Sequence, residues 1–146
     1  MELEIREIAA CELEQLVELY GHLKTEEKAA PETYRAVFEK IKADSSHYLL
    51  GGFIGDELVS SVVLVVIPNL TRQCRSYGVI ENVVTLPEYR GKGYATALLD
   101  HAADIARQQN CYKLMLMTGS KLESTLNFYE RAGFNKNDKT AFIRWL

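Results

Sequence analysis

Residues 3–8 (LEIREI) alternate apolar and charged for most of their length, the period-two pattern of a half-buried strand. Further on, Leu13, Leu16, Val17 and Tyr20 fall at i, i+3, i+4 and i+7, one face of a helix. Tyr34, Val37, Phe38 and Ile41 repeat that spacing, with Pro31 in the opening turn of a second helix. Residues 48–54 and 58–67 read as two strands joined by a tight Gly55-Asp56 turn, a hairpin signal. The second of them is nearly all apolar, so both of its faces are expected to be covered.

Residues 68–78 are polar and form a connecting loop; 79–86 are the next strand. Ala95, Leu98, Leu99, Ala102 and Ile105 make the apolar face of a third helix. After a polar corner at 108–110, residues 113–118 return to strand pattern. Ser120 with Glu123 three residues later predicts a capping box for a last helix ending near Gly133, and 141–145 reads as a final strand. An antiparallel start passes into a strand–helix–strand crossover, which predicts a mixed α/β sheet with helices on both faces.

A length of 146 residues supports one core and so a single domain over 1–146. The 47% apolar and 25% charged content is that of a soluble globular protein. A formal charge of −3 argues against a nucleic-acid binder working by bulk phosphate attraction. Cys11, Cys74 and Cys111 leave one over in any pairing and lack metal-ligand spacing, which fits the reducing cytosol. The opening MELEIREIAACELEQL does not read as a signal peptide, and the longest apolar run, 62–67, falls far short of the about 20 residues of a membrane span. A cytoplasmic protein with no metal is expected. His22, His47 and His101 are scattered and read as surface or structural; Cys111 reads as a small buried hydrophobe.

The stretch YGVIENVVTLPEYRGKGYATALL, 77–99, feeds a strand through a two-glycine turn into a helix. The first-turn N–H groups of a helix have no acceptor and the dipole favours an anion there, so this is a place to hold phosphate. Arg90, Gly93 and Ala95 give Arg-x-x-Gly-x-Ala, which is neither the P-loop nor the dinucleotide fingerprint. Together with NFYERAGF, 127–134, this pattern resembles the GNAT N-acetyltransferase superfamily. IENVV, YRGKG and CYK are locally similar to its glucosamine-6-phosphate acetyltransferase branch.

The resemblance implies a GNAT-like sheet: an antiparallel N-terminal part, then a parallel strand pair splayed around acetyl-CoA by a bulge. It implies that Arg90, Gly91, Lys92, Gly93, Tyr94, Ala95 and Thr96 hold the pyrophosphate. A backbone N–H among Val83, Val84 and Thr85 would hold the thioester carbonyl. Tyr129 would donate to the departing thiolate; the alternative for it is a core Tyr on the face of Leu122 and Leu126. Many members carry an Asn that contacts the cofactor where this chain has Leu122 or Thr125, so Ser124 or Thr125 would have to replace it.

An amine with a pKa near 10 is only about 0.1% neutral at pH 7, a deficit of roughly 4 kcal/mol, so a base is needed. Glu81 lies in an otherwise apolar run, where partial burial would favour proton uptake and suit that task. A structural carboxylate paired with an Arg, or one facing water, is the other reading. Asn82 could order the water or touch the acceptor. Arg72 and Arg75, in a loop without acids, could grip an anionic acceptor; alternatively they are solvated or form a homodimer contact. The function expected is acetyl transfer to a small-molecule primary amine by direct attack in a ternary complex. A protein lysine or N-terminal acetyltransferase, or a non-catalytic acyl-CoA-binding module, are the alternatives.

Overall fold

The computed structural model describes residues 1–23 and 27–146. Five strands form one sheet in the order β1-β2-β3-β4-β5: Leu3–Glu7, His47–Ile54, Glu57–Ile67, Tyr77–Thr85 and Leu114–Leu116. The first four run antiparallel, and β4 pairs with β5 in parallel. The helices are α1 (Leu13–Tyr20), α2 (Pro31–Lys42), α3 (Tyr94–Gln108) and α4 (Glu123–Arg131).

Two apolar clusters hold the layers. On one face Leu16 and Leu19 of α1 and Phe38 of α2 pack with Ile8, Leu49, Phe53 and Val63. On the other, Leu98, Leu99 and Ala102 of α3 meet Leu50, Leu64 and Ile80, with Phe128 and Tyr129 of α4 at the margin. Each fully buried Leu contributes about 1.5–3 kcal/mol relative to exposure, so the strands inherit their order from these faces. The expected hairpin forms at Gly55, whose φ of 60° suits glycine, and β3 is buried along nearly all its length.

Several expectations need correction. The buried pair on α1 is Leu16 and Leu19, while Leu13, Val17 and Tyr20 are half-buried, so the helix is rolled slightly from the expected face. No capping box opens α4: its N-cap is Leu122, and Ser120 Oγ instead bonds the Leu122 N–H and the Thr125 hydroxyl. The last strand keeps only Leu114–Leu116 of the expected 113–118. Residues 141–145 form no strand; they are exposed and pair with no other strand among the described residues.

Candidate active site

The positioning feature is a defect in the sheet. Ser61 opposes Val84 and Val63 opposes Glu81, so Asn82 and Val83 together face the single residue Val62. This is a β-bulge, and Asn82 sits in it at φ 51°, a left-handed conformation Asn tolerates better than most residues. Tyr20 at the end of α1 reaches this spot. Burial pushes its hydroxyl up to about 12, partly offset by hydrogen bonds with Asn82 and Ser61. The bulge bends β4 just where its pairing with β5 stops, after Ile80 opposite Leu116. The two strands therefore part.

Past the bulge, β4 is re-anchored to β3. The Leu86 N–H donates to the Val59 carbonyl at 2.8 Å, and Ser60 Oγ bonds the Val84 carbonyl at 3.1 Å and the Thr85 hydroxyl at 2.8 Å. Ladder alternation then turns the N–H and C=O of Thr85 away from β3, towards the gap. That carbonyl accepts the Arg90 Nε–H at 3.0 Å, which ties the following loop to the strand.

The loop ends at Gly93, the N-cap of α3, with φ 82°; Gly91 has φ 76°. A Cβ built on either would have nothing within 4 Å, so the two glycines border open space. No acidic residue lies in the first turn of α3. The fifteen-residue helix thus presents unpaired N–H groups and its positive end to that space.

A cleft of about 770 Å³ opens here. Val83, Val84, Thr85, Arg90, Gly91, Gly93, Tyr94, Ala95 and Thr96 line it, with Ser124, Thr125, Phe128, Tyr129 and Arg131 of α4. His22 and Leu23, just past α1, line it as well. Since α1 and α4 lie on opposite faces of the sheet, the cleft passes through the gap between β4 and β5.

Tyr129 is half-buried, edge-on to Phe128 and Phe134, and burial raises its hydroxyl above the ordinary value. It therefore stays protonated at neutral pH.

Other sequence-derived candidates lie elsewhere. Glu81 is exposed, contrary to the partial burial expected of it; it lies next to the bulge, where β4 leaves its regular pairing. It opposes Val63 of the α1-side cluster, so it stands on the opposite face from Tyr129. Neither Glu81 nor Asn82 is a wall of the cleft, although both adjoin Val83, which is. Lys92 points along the outside of the loop, its ammonium 5.2 Å from the Tyr89 ring.

Arg72 and Arg75 belong to the other end of β4. Arg75 donates to the carbonyls of Asn110 (3.3 Å) and Cys111 (3.0 Å), and Arg72 lies over the Tyr112 ring. The structure does not bring them to the cleft. His22 and Leu23 were missed because a helix-end pair carries no spacing signal; Arg131 was inside the recognised NFYERAGF block but was given no role. Among the described residues no cluster of His, Cys, Asp or Glu could hold a metal ion.

The mixed sheet, with its one parallel pair parting beside a glycine-capped helix, is the architecture of a known family. The acetyltransferase (GNAT) family model matches residues 12–134, and the chain belongs to that family; it is an acyltransferase. The chain is 32% identical over 95% of its length to a glucosamine 6-phosphate N-acetyltransferase from Trypanosoma brucei brucei, covering 93% of that protein. A solved structure from Agrobacterium tumefaciens is 35% identical with a TM-score of 0.91, over 97% of this chain and 99% of the other. Glucosamine-6-phosphate N-acetyltransferase from Arabidopsis thaliana shares the fold at a TM-score of 0.88 and 21% identity, over 99% of each chain.

Proposed function

We propose that this chain transfers the acetyl group of acetyl-CoA to the primary amine of a small, phosphorylated amino sugar of the glucosamine 6-phosphate type. The observation that carries the reading is the cleft itself. It runs from the Gly93-capped end of α3 through the β4–β5 gap, with Tyr129 on one face and Glu81 beside the opening on the other. The similarity to the Trypanosoma enzyme over nearly the whole chain supports the acceptor class.

Acetyl-CoA, when bound, supplies an activated acetyl thioester and a pyrophosphate handle. The residues present fit it: Gly91 and Gly93 leave room for phosphate oxygens, and main-chain amides from Gly91 to Thr96 would hold them. The Thr85 N–H faces the gap and would bind the carbonyl oxygen as its charge develops. Tyr129 would give its proton to the departing sulfur. Glu81, exposed on the opposite face, would accept the amine proton through water. With base and acid on opposite faces of the sheet, one would serve the incoming amine and the other the departing sulfur as the tetrahedral intermediate forms and collapses, which suits direct attack in a ternary complex. The three free cysteines, Cys11, Cys74 and Cys111, suit a reducing, cytoplasmic setting.

The test is thiol release from acetyl-CoA against a panel of amino sugars with and without phosphate, polyamines, amino acids and peptides. Turnover confined to peptides would favour protein acetylation instead. Tight acetyl-CoA binding without turnover of any amine would leave a binding module.

A further inference from the structure

Tyr20, the last residue of α1, places its hydroxyl against the bulge of β4, where it bonds Asn82 and Ser61. The direction of each bond follows from counting protons. Ser61 is fully buried, and its Oγ donates at 2.8 Å to the Leu50 carbonyl, which can only accept. The one Ser61 hydroxyl proton is spent there, so towards Tyr20 Ser61 Oγ is an acceptor. Tyr20 in turn has a single O–H, and it goes to Ser61. Asn82 then meets the Tyr20 oxygen as a donor, through its amide NH2. The chain runs one way, from Asn82 Nδ2–H to Tyr20 O–H to Ser61 O–H to the Leu50 carbonyl.

The outer end of this relay stands at the cleft. Val84 packs in the α1-side cluster, Val83 at the margin of the α3-side one, and Glu81 opposes Val63 of the α1-side cluster. Tyr20 reaches Asn82 from α1, so the bulge sets two consecutive side chains, Glu81 and Asn82, on one face. Val83, next to Asn82, and His22, two residues past Tyr20, both line the cleft. With its NH2 held inward by Tyr20, the exposed Asn82 turns its Oδ1 outward. The ionised Glu81 carboxylate beside it is acceptor-only. The α1-side rim thus carries two oxygen acceptors side by side.

We propose that Tyr20 is a positioning residue: through this relay it fixes the Asn82 amide with its oxygen towards the acceptor. Asn82 and Glu81 then receive the N–H and O–H donors of a primary ammonium and a neighbouring hydroxyl, and the same oxygens turn an anionic group away. The role rests on the acetyl transfer proposed above and says which end of the acceptor this rim binds.

The experiment has one arm without turnover and one with it. In the first, NMR of the full 15N-labelled chain follows hydrogen exchange of the Asn82 side-chain amide. Its protons should exchange at least about tenfold more slowly in wild type than in Tyr20→Phe. In the second, Tyr20→Phe should raise KM for glucosamine 6-phosphate about tenfold, roughly the worth of one oriented hydrogen bond. KM for acetyl-CoA should stay within about twofold. Asn82→Asp supplies two equivalent oxygens that need no orienting, and Asp tolerates the φ of 51° as Asn does. In that background Tyr20→Phe should change the acceptor KM by less than about twofold. An acceptor KM that Tyr20→Phe leaves unchanged, or raises equally in both backgrounds, would overturn the proposal. So would Asn82 amide exchange indifferent to Tyr20→Phe. A chain that acetylates none of the amines would overturn the function proposed above, and the amide exchange would still decide the relay.

Discussion

Gly93 does two things at one position: it adopts φ 82° and leaves open space at the helix end. The two can be separated. Gly93→Asn keeps a residue that tolerates the left-handed region, whereas Gly93→Asp adds a charge to the same shape. By calorimetry, the Asp variant should bind acetyl-CoA at least about tenfold more weakly than the Asn variant, since like charge beside phosphate costs 1.4 kcal/mol or more, roughly. Equal affinities would move the pyrophosphate away from this loop. Tyr129 is judged by rate. Tyr129→Phe should lower kcat by on the order of 100-fold while acetyl-CoA affinity stays within about twofold.

The pH profile follows from the sign of the Tyr129 shift. Burial raises the hydroxyl, so the donor form is present below its ordinary value of 10.0 and is lost only above it. Wild-type turnover should rise with pH as the amine deprotonates, without a downturn before about pH 10. A downturn near pH 8 that Tyr129→Phe abolishes would contradict this. If Glu81 takes the amine proton through water, Glu81→Gln should depress turnover at neutral pH and less at high pH, where the amine deprotonates unaided. A profile parallel to wild type would make it a surface carboxylate.

At the scale of elements the bulge on β4 lies just past the point where its pairing with β5 ends. Its cost is concentrated at Asn82, with φ 51°. A β-branched residue there would be strained by about 1–3 kcal/mol, whereas glycine would not. Asn82→Val should lower stability to urea by about that amount and reduce kcat, because straightening β4 would turn the Thr85 N–H out of the gap. Asn82→Gly should keep the stability. Tyr20, whose hydroxyl bonds Asn82 and Ser61, ties α1 to the same bulge. The strand was legible from its apolar run, but the bulge was not. A one-residue shift is a property of the pairing with β3, in which Asn82 and Val83 must share Val62, and no pattern within either strand records it.

For the whole molecule, the α3–sheet interface carries the greatest weight. Leu98 is fully buried and packs in the cluster that joins α3 to β2, β3 and β4. Leu98→Ala should cost about 2–5 kcal/mol of global stability by chemical denaturation. Well below the melting transition it should leave KM for acetyl-CoA nearly unchanged, because Leu98 is not a wall of the cleft. A large KM change at full folding would mean that the α3 end shifts with its core.

Local chemistry made much of this protein legible in its sequence. Period two and period 3.6 marked the strands and helices, and Gly55 marked the hairpin. The glycine-bearing turn from Arg90 to Thr96 and the helix start that follows it were legible because both act through their own backbone. The block from Asn127 to Phe134 likewise carried Tyr129. What depends on distant partners was not legible. Glu81 looked partly buried from its apolar neighbours, yet it is exposed, because what covers a strand position is set by distant elements and not by its sequence neighbours. Arg75 looked free, yet its guanidinium is taken by carbonyls 35 and 36 residues away. Residues 141–145 have a strand's pattern, but a strand exists only where another backbone offers N–H and C=O groups, and among the described residues none pairs with them. Sequence fixes what a segment is able to form; tertiary structure decides whether the complementary surface is there to receive it.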